Sequence, residues 1–302
     1  RQVPTVGNMQ ALVNLQWNRP ADAISDDERA MGWLHQYDKN AAWLAAIGSA
    51  WLGIGDPTHY PDGTRFLANK AGYWRLLNLP YKANERMPEL RFLPSEEGGH
   101  WARTPAVVLL ADLYPGWEPE VAEAWVWTTS KRALYGMYDK LRIARERVMA
   151  AQEEGRPGAR YAKQVVGHLY QSFRGYLSRA DGPKKDLSDP TGNTLYAADI
   201  YWRPDWAEMV LDLALCNTYR DLAKFEAEGR PPLSLKVDAV TVASNEADPR
   251  AAAPASMKFG SKGGEWKPEP EYTVPLAELL PAIDAGKPVT VARKSYLSAK
   301  EN

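Results

Sequence analysis

Residues 31–44 read Met31-Gly32-Trp33-Leu34-His35-Gln36-Tyr37-Asp38-Lys39-Asn40-Ala41-Ala42-Trp43-Leu44. The first eight have the length and aromatic content of a strand that ends at Tyr37-Asp38. Small residues then predict a helix or turn over 40–51, stopped by Gly53, Gly55 and Pro57. A carboxylate is thereby set at the end of a strand. Its counterpart lies two hundred positions on, in Leu235-Lys236-Val237-Asp238-Ala239-Val240. There Asp238 reads as a charge inside an otherwise apolar strand over 233–243. Such a charge is costly unless it is paired or bound to metal. Taken alone, either aspartate has the ordinary reading of an exposed or hydrogen-bonding strand residue.

The order of elements between the two changes that reading. A partly alternating stretch over 11–19 predicts one more strand, and 60–128 mixes short strands, Pro/Gly loops and tryptophans. Thr128-Thr129-Ser130 offers N-cap chemistry for a helix over 131–152, with Leu134, Met137, Tyr138, Leu141 and Val148 at mostly helical spacing. A turn over 153–158 and a second helix over 161–176 complete an antiparallel helical hairpin. Residues 180–195 read as a polar loop. Arg203-Pro204-Asp205-Trp206 opens a third helix, with proline in its first turn, that runs to about residue 228. Beyond the second strand the chain is loop-rich, with a short helix near 276–284 and a basic end.

Phosphoryl transfer asks a protein for carboxylates that hold divalent cations and for basic groups that neutralise a triphosphate. Two strand-borne aspartates with a Lys-bearing hairpin between them meet that demand. Lys163 and Tyr170 stand seven apart, on one helical face. Arg142 and Arg145 belong to a concentration of cations on the same hairpin, which reads as a contact for nucleotide and strand beside a metal site and otherwise as a solvated face.

This order resembles the palm and fingers of family B DNA polymerases of the protein-primed type. The family's first acidic motif runs Asp-x-x-Ser-Leu-Tyr-Pro; Asp38 matches its metal ligand, and Trp43 takes the place of the Tyr beneath the incoming sugar. Ala41, Ala42 and Leu44 depart from it. In the fingers motif Lys163 and Tyr170 keep their spacing, while Gly167, His168 and Gln171 depart. Asp238 matches the second acid of the Asp-Thr-Asp motif, whose first acid is replaced by Lys236. Gly264-Glu265-Trp266-Lys267-Pro268-Glu269 is similar to a Gly-x-Trp-x-x-Glu stretch of the protein-primed branch, and Lys294-Ser295-Tyr296 to its Lys-x-Tyr motif at the primer terminus. The runs 203–206, 237–240 and 248–254 also resemble the C-terminal part of telomere-associated proteins of linear actinobacterial replicons.

The resemblance implies an α+β fold with an antiparallel palm sheet and helical-hairpin fingers. The palm would take 1–60 and 179–302, the fingers 129–178, and 61–128 would be an insertion that contacts a terminal protein. It implies template-directed, two-metal transfer from dNTP at DNA ends, with two Mg²⁺ ions (or Mn²⁺) on Asp38 and Asp238. Lys163 would be general acid, Trp43, Tyr170, Arg142 and Arg145 would bind nucleotide, and Lys236, Lys294 and Tyr296 would hold primer DNA. The nucleophile would be a primer 3′ hydroxyl or a terminal-protein hydroxyl. The Lys236 departure keeps a second reading open: a degenerate polymerase fold that binds DNA ends, telomeric DNA included, and recruits a terminal protein. A third is an α+β domain unrelated to polymerases.

Composition narrows the classes further. With 45% hydrophobic and 25% charged residues over 302 positions, a sizeable core is available. The net charge of -1 means any nucleic-acid surface must be local. One cysteine, Cys216, excludes an internal disulfide framework and Cys-pair zinc sites and makes a reducing, cytoplasmic setting the default, to which the polymerase resemblance adds association with the nucleoid. His35, His59, His100 and His168 lack metal-ligand spacing. No apolar run nears the roughly 20 residues that span a bilayer, so no membrane partner is expected. Arg1 in place of an initiator Met suggests a piece of a longer protein.

Overall fold

The computed structural model describes residues 12–13, 16–178, 186–188, 194–196 and 203–300. Its main sheet is antiparallel, in the order β1 (Gln16–Asn18), β12 (Ser234–Lys236), β13 (Ala239–Ser244), β2 (Trp33–Lys39) and β14 (Trp266–Pro268), with β15 (Val274–Pro275) also on β2. Strand alternation separates the two faces. One face carries Trp17, Tyr37, Leu235, Val240, Val242 and Trp266 into the largest core. Helix α6 (Pro204–Ala227) meets it with Leu215, Cys216, Tyr219, Leu222 and Phe225, at the three-and-four spacing of a buried stripe. The opposite face is covered at the Leu34 end by α7 (Leu280–Asp284) and α8 (Val289–Lys300). The Asp38 end lies four residues along β2, about 13 Å away at strand rise. Short α1 (Asp26–Arg29) precedes β2 behind a Ser25–Glu28 capping box.

The mixed stretch expected over 60–128 folds as a second antiparallel sheet. Its order is β4 (Thr58–Tyr60), β8 (Val121–Val126), β5 (Gly72–Leu76), β7 (His100–Arg103), β6 (Leu93–Pro94), followed on β7 by α3 (Thr104–Leu113). Trp74, Leu76, Ala102 and Val126 join the largest core. A buried bidentate pair fixes this sheet to α6: the Arg103 guanidinium donates to both oxygens of Asp212, and it also pairs with Glu208. Burial holds Glu208 up at about 7, with Arg103 opposing the shift.

The helical hairpin consists of α4 (Tyr135–Glu153) and α5 (Ala159–Ser178). Its start departs from the sequence expectation. Ser130 does not cap a helix: Ser130–Lys131 forms β9, paired with β3 (Leu52–Gly53), and the Ser130 hydroxyl accepts from Ala71 N and donates to Trp127 O. Helix α2 (Ala42–Ser49) packs on the hairpin at Gly48, where a Cβ would stand 2.6 Å from the Tyr138 ring. The polar loop expected over 180–195 lies largely outside the described residues, within which β10 (Asp186–Ser188) and β11 (Thr194–Tyr196) pair antiparallel. Among the described residues no helix is long and apolar enough to cross a membrane.

Candidate active site

Asp238 is not inside a strand. Strands β12 and β13 close at Lys236 and Ala239, leaving Val237 and Asp238 as a two-residue hairpin loop. Val237 has φ 60° and Asp238 is not left-handed, the pattern of a type II′ turn whose first position normally takes glycine. A β-branched residue there costs on the order of 1–3 kcal/mol. The antiparallel register sets Ala239 opposite Asp38, and Lys39 N donates to Asp238 O at 3.1 Å. Asp38 and Asp238 line the same cleft, close enough for each carboxyl to act on the other.

Lys267 on β14 stands directly opposite Asp38, its Nζ 3.0 Å from Asp38 Oδ2 and 3.0 Å from Glu269 Oε1. Gln36 in turn donates to Glu269. Burial, then the neighbouring Asp38 charge, pushes Asp238 up to about 6, with Lys267 pulling against it. Asp38 is raised by burial too, opposed by its Lys267 contact. Two adjacent, half-buried carboxyls, only one of them paired with the Lys267 ammonium, carry excess negative charge. In the absence of a further cation they are a place where a proton is shared.

Two clefts meet at Asp38. The smaller, about 320 Å³, is cationic, with Arg145, Lys163 and Lys267 beside Asp38 and Tyr170. The larger, about 500 Å³, is lined by Trp43, Tyr170, Leu211, Leu215 and both aspartates. Tyr170 belongs to both. Burial lowers Lys163, and Lys267 and Arg145 lower it further, so it is a readier proton donor than an ordinary lysine. Burial raises Tyr170, which keeps its hydroxyl protonated. Asn40, buried behind the cationic cleft, donates to Gly260 O and accepts from Arg145 Nη2 at 3.2 Å. Arg145 also donates to Ser261 O, so hairpin and β14 approach are held together across the cleft. Asn40 precedes Ala41, left-handed at φ 42°, after which α2 begins with no side-chain cap.

The structure brings together Asp38, Asp238, Lys163, Tyr170, Trp43 and Arg145. Four other expected residues stand elsewhere. Lys236 is exposed and lines neither cleft; the ammonium beside the acids is Lys267. Lys236 and Asp238 do not share a strand face, because the chain turns between them. Arg142 points along α4 to Asp139 and Glu146, at 2.8 Å each, so its charge is satisfied by its own helix. Lys294 and Tyr296 lie on α8: Lys294 is exposed, and Tyr296 packs on the Leu34 cluster with the Lys300 ammonium over its ring. Sequence reasoning missed Lys267 and Glu269 as site residues. Their signal was present in the 264–269 stretch, but only register decides which of its side chains faces Asp38.

An antiparallel sheet with two carboxylates at one end, faced by a helical hairpin that carries lysine and tyrosine, is the α+β palm-and-fingers fold of a polymerase. No family model and no curated protein matches this chain. Among solved structures it is similar to phi29 DNA polymerase complexed with primer-template DNA and incoming nucleotide, at 16% identity and TM-score 0.50. It is similar as well to an orthorhombic crystal form of phi29 DNA polymerase, at 15% identity and TM-score 0.50. Each likeness covers 86% of this chain, which spans 46% of the phi29 chain, somewhat under half. At such identities the likeness speaks for the fold.

Proposed function

We propose that this chain is a DNA-polymerase-like nucleotidyltransferase acting at DNA ends. The observation that carries the reading is the junction itself: Asp38 and Asp238 stand together where a cationic cleft meets an aromatic one. A deoxynucleoside triphosphate has the same division, a polyanion at one end and a sugar and base at the other.

The donor set fits Mg²⁺ or Mn²⁺: two carboxylates, oxygen-only, both raised by burial and Asp238 also by the Asp38 charge. Asp38 and Asp238 would hold the ions, with substrate phosphate and water as the remaining ligands, since no cluster of three or more acidic, His or Cys side chains exists among the described residues. Bound there, the ions supply charge neutralisation for phosphoryl transfer and lower the pKa of the attacking hydroxyl. Arg145 and Lys163 bind the phosphates. Lys163, with its lowered pKa, gives a proton to the departing pyrophosphate. Trp43 and Tyr170 flank the sugar and base, as rigid walls with little rotamer freedom to lose. The finer setting we infer is the end of a linear replicon, with the second sheet as the surface for a terminal protein. Its basis is the sequence resemblance alone.

Incorporation of labelled dNTP on a primed template, in Mg²⁺ and in Mn²⁺, tests the reading. Asp38→Ala and Asp238→Ala should each abolish it; incorporation that survives both overturns the assignment. A second reading, DNA-end binding without catalysis, is favoured by the ammonium of Lys267 already seated on Asp38. It requires metal-independent binding to single-stranded or hairpin DNA and no nucleotide transfer with any primer.

A further inference from the structure

Lys267 lines the cationic cleft and Lys39 the larger one, and the two lysines are held very differently. Lys39 is 4% exposed and locked, its Nζ 2.7 Å from Asp221 Oδ2 and 3.3 Å from Asn217 O. Lys267 is 45% exposed at the side chain and shares its ammonium between two acids, Asp38 and Glu269, at 3.0 Å each. Those acids also differ. Glu269 is 16% exposed and tied down, accepting from the Gln36 amide while its own backbone N donates to Gln36 O at 3.0 Å. Asp38 opens onto both clefts. A part-exposed cation thus sits between a tied-down acid and an acid that faces both clefts.

We propose that Lys267 is a built-in counter-ion that competes with divalent cations for Asp38, with Glu269 as the station to which it withdraws when a cation binds. The inference rests on the reading of Asp38 and Asp238 as the cation-holding pair and adds a positioning residue to it. Physically, an ammonium at 3.0 Å neutralises the same carboxylate a divalent ion needs. Glu269 lowers the cost of moving it, because the displaced charge stays paired. Lys267 thereby offsets the negative charge of the acid pair, and a divalent cation is admitted by exchange of one positive charge for another.

The consequence has opposite signs for the two partners of Lys267. With Lys267→Met, Asp38 is freed, and cation affinity should rise about tenfold, the scale of one charge-assisted contact. With Glu269→Gln the ammonium has only Asp38 to hold, and affinity should fall by about the same factor. Long-range charge alone would also weaken binding in Glu269→Gln, so the cycle decides: in the Lys267→Met background, Glu269→Gln should lose most of its effect. Lys267→Arg, which keeps the charge, should stay near the parent.

The experiment is Mn²⁺ titration of the whole chain without DNA or nucleotide, with free Mn²⁺ read by electron paramagnetic resonance. Thermal melts verify that each variant is folded, and Lys267→Gln serves where Lys267→Met melts early. Tighter binding without Lys267, together with a Glu269 effect that vanishes in its absence, supports the exchange. If Asp38→Asn and Asp238→Asn lose Mn²⁺ but Lys267→Met binds no more tightly, or the Glu269 effect persists undiminished, the counter-ion role is wrong while the metal reading stands. If the two aspartate variants bind Mn²⁺ like the parent, the metal reading fails and takes the exchange with it.

Discussion

Asp238→Asn should make the folded protein more stable at neutral pH while abolishing the proposed nucleotide incorporation. Asp238 ionises near 6 in the fold, against 3.8 in the unfolded chain, because burial and the Asp38 charge both disfavour its carboxylate. A raised carboxyl binds its proton more tightly in the native state. The associated stability is therefore complete below the unfolded value and is lost as pH climbs toward 6. A shift of about two pH units corresponds to roughly 3 kcal/mol. Screening by Lys267 and by solvent at the half-open clefts brings the expectation to about 1–3 kcal/mol. Asparagine keeps the shape and removes the charge, so its advantage over the parent should be near zero below pH 4 and grow up to about pH 6.5. Urea unfolding across pH 4–8, compared at equal m, measures it. Added Mg²⁺ should reverse the order by stabilising the parent alone. A parent that is more stable than the asparagine variant at pH 7 without divalent ions would refute the repulsion argument, as would a difference that is flat in pH.

Three further outcomes follow from the same geometry. Arg145→Ala should raise the KM for dNTP by about tenfold, the scale of one charge-assisted contact, whereas Arg142→Ala, paired on its own helix, should leave it within about twofold; steady-state incorporation kinetics distinguish the two. Lys163→Met should lower kcat by about 10²–10⁴ and flatten the alkaline limb of its pH profile, the loss expected of a proton donor. Arg103→Met should destabilise by about 3–5 kcal/mol, because Asp212 is left buried and uncompensated, and the double change with Asp212→Leu should recover much of that in urea melts.

Several elements were legible in the amino-acid order. The strand ending at Asp38, the helical hairpin and α6 each carry their pattern within a dozen or two residues, where 3.6- or 2-residue periodicity and proline at a helix start are local properties. The spacing of Lys163 and Tyr170 was enough to set both on the cleft side of α5. The topology of 60–128 was not legible. Its sheet joins strands as short as two residues, and their pairing partners are dictated by packing onto α3 and α6 rather than by their own composition. Ser130 has the chemistry of an N-cap, but the β3–β9 pairing takes up its hydroxyl first.

By itself the sequence determined most of the helices and the main strands and which chemical groups are available: one acid at a strand end, one read inside a strand, a basic hairpin and aromatic walls. Only the tertiary structure decided which of these groups share a site. The two-residue turn at Val237-Asp238 moved an apparent strand charge to the cleft, and the β2–β14 register set Lys267 against Asp38 in place of Lys236. The rotation of α4 turned Arg145 inward and left Arg142 to its own helix, and α8 carried Lys294 and Tyr296 to the other end of the sheet. The reason is physical. Local periodicity is a property of neighbouring residues, whereas strand register and helix rotation are settled by burying faces drawn from the whole chain.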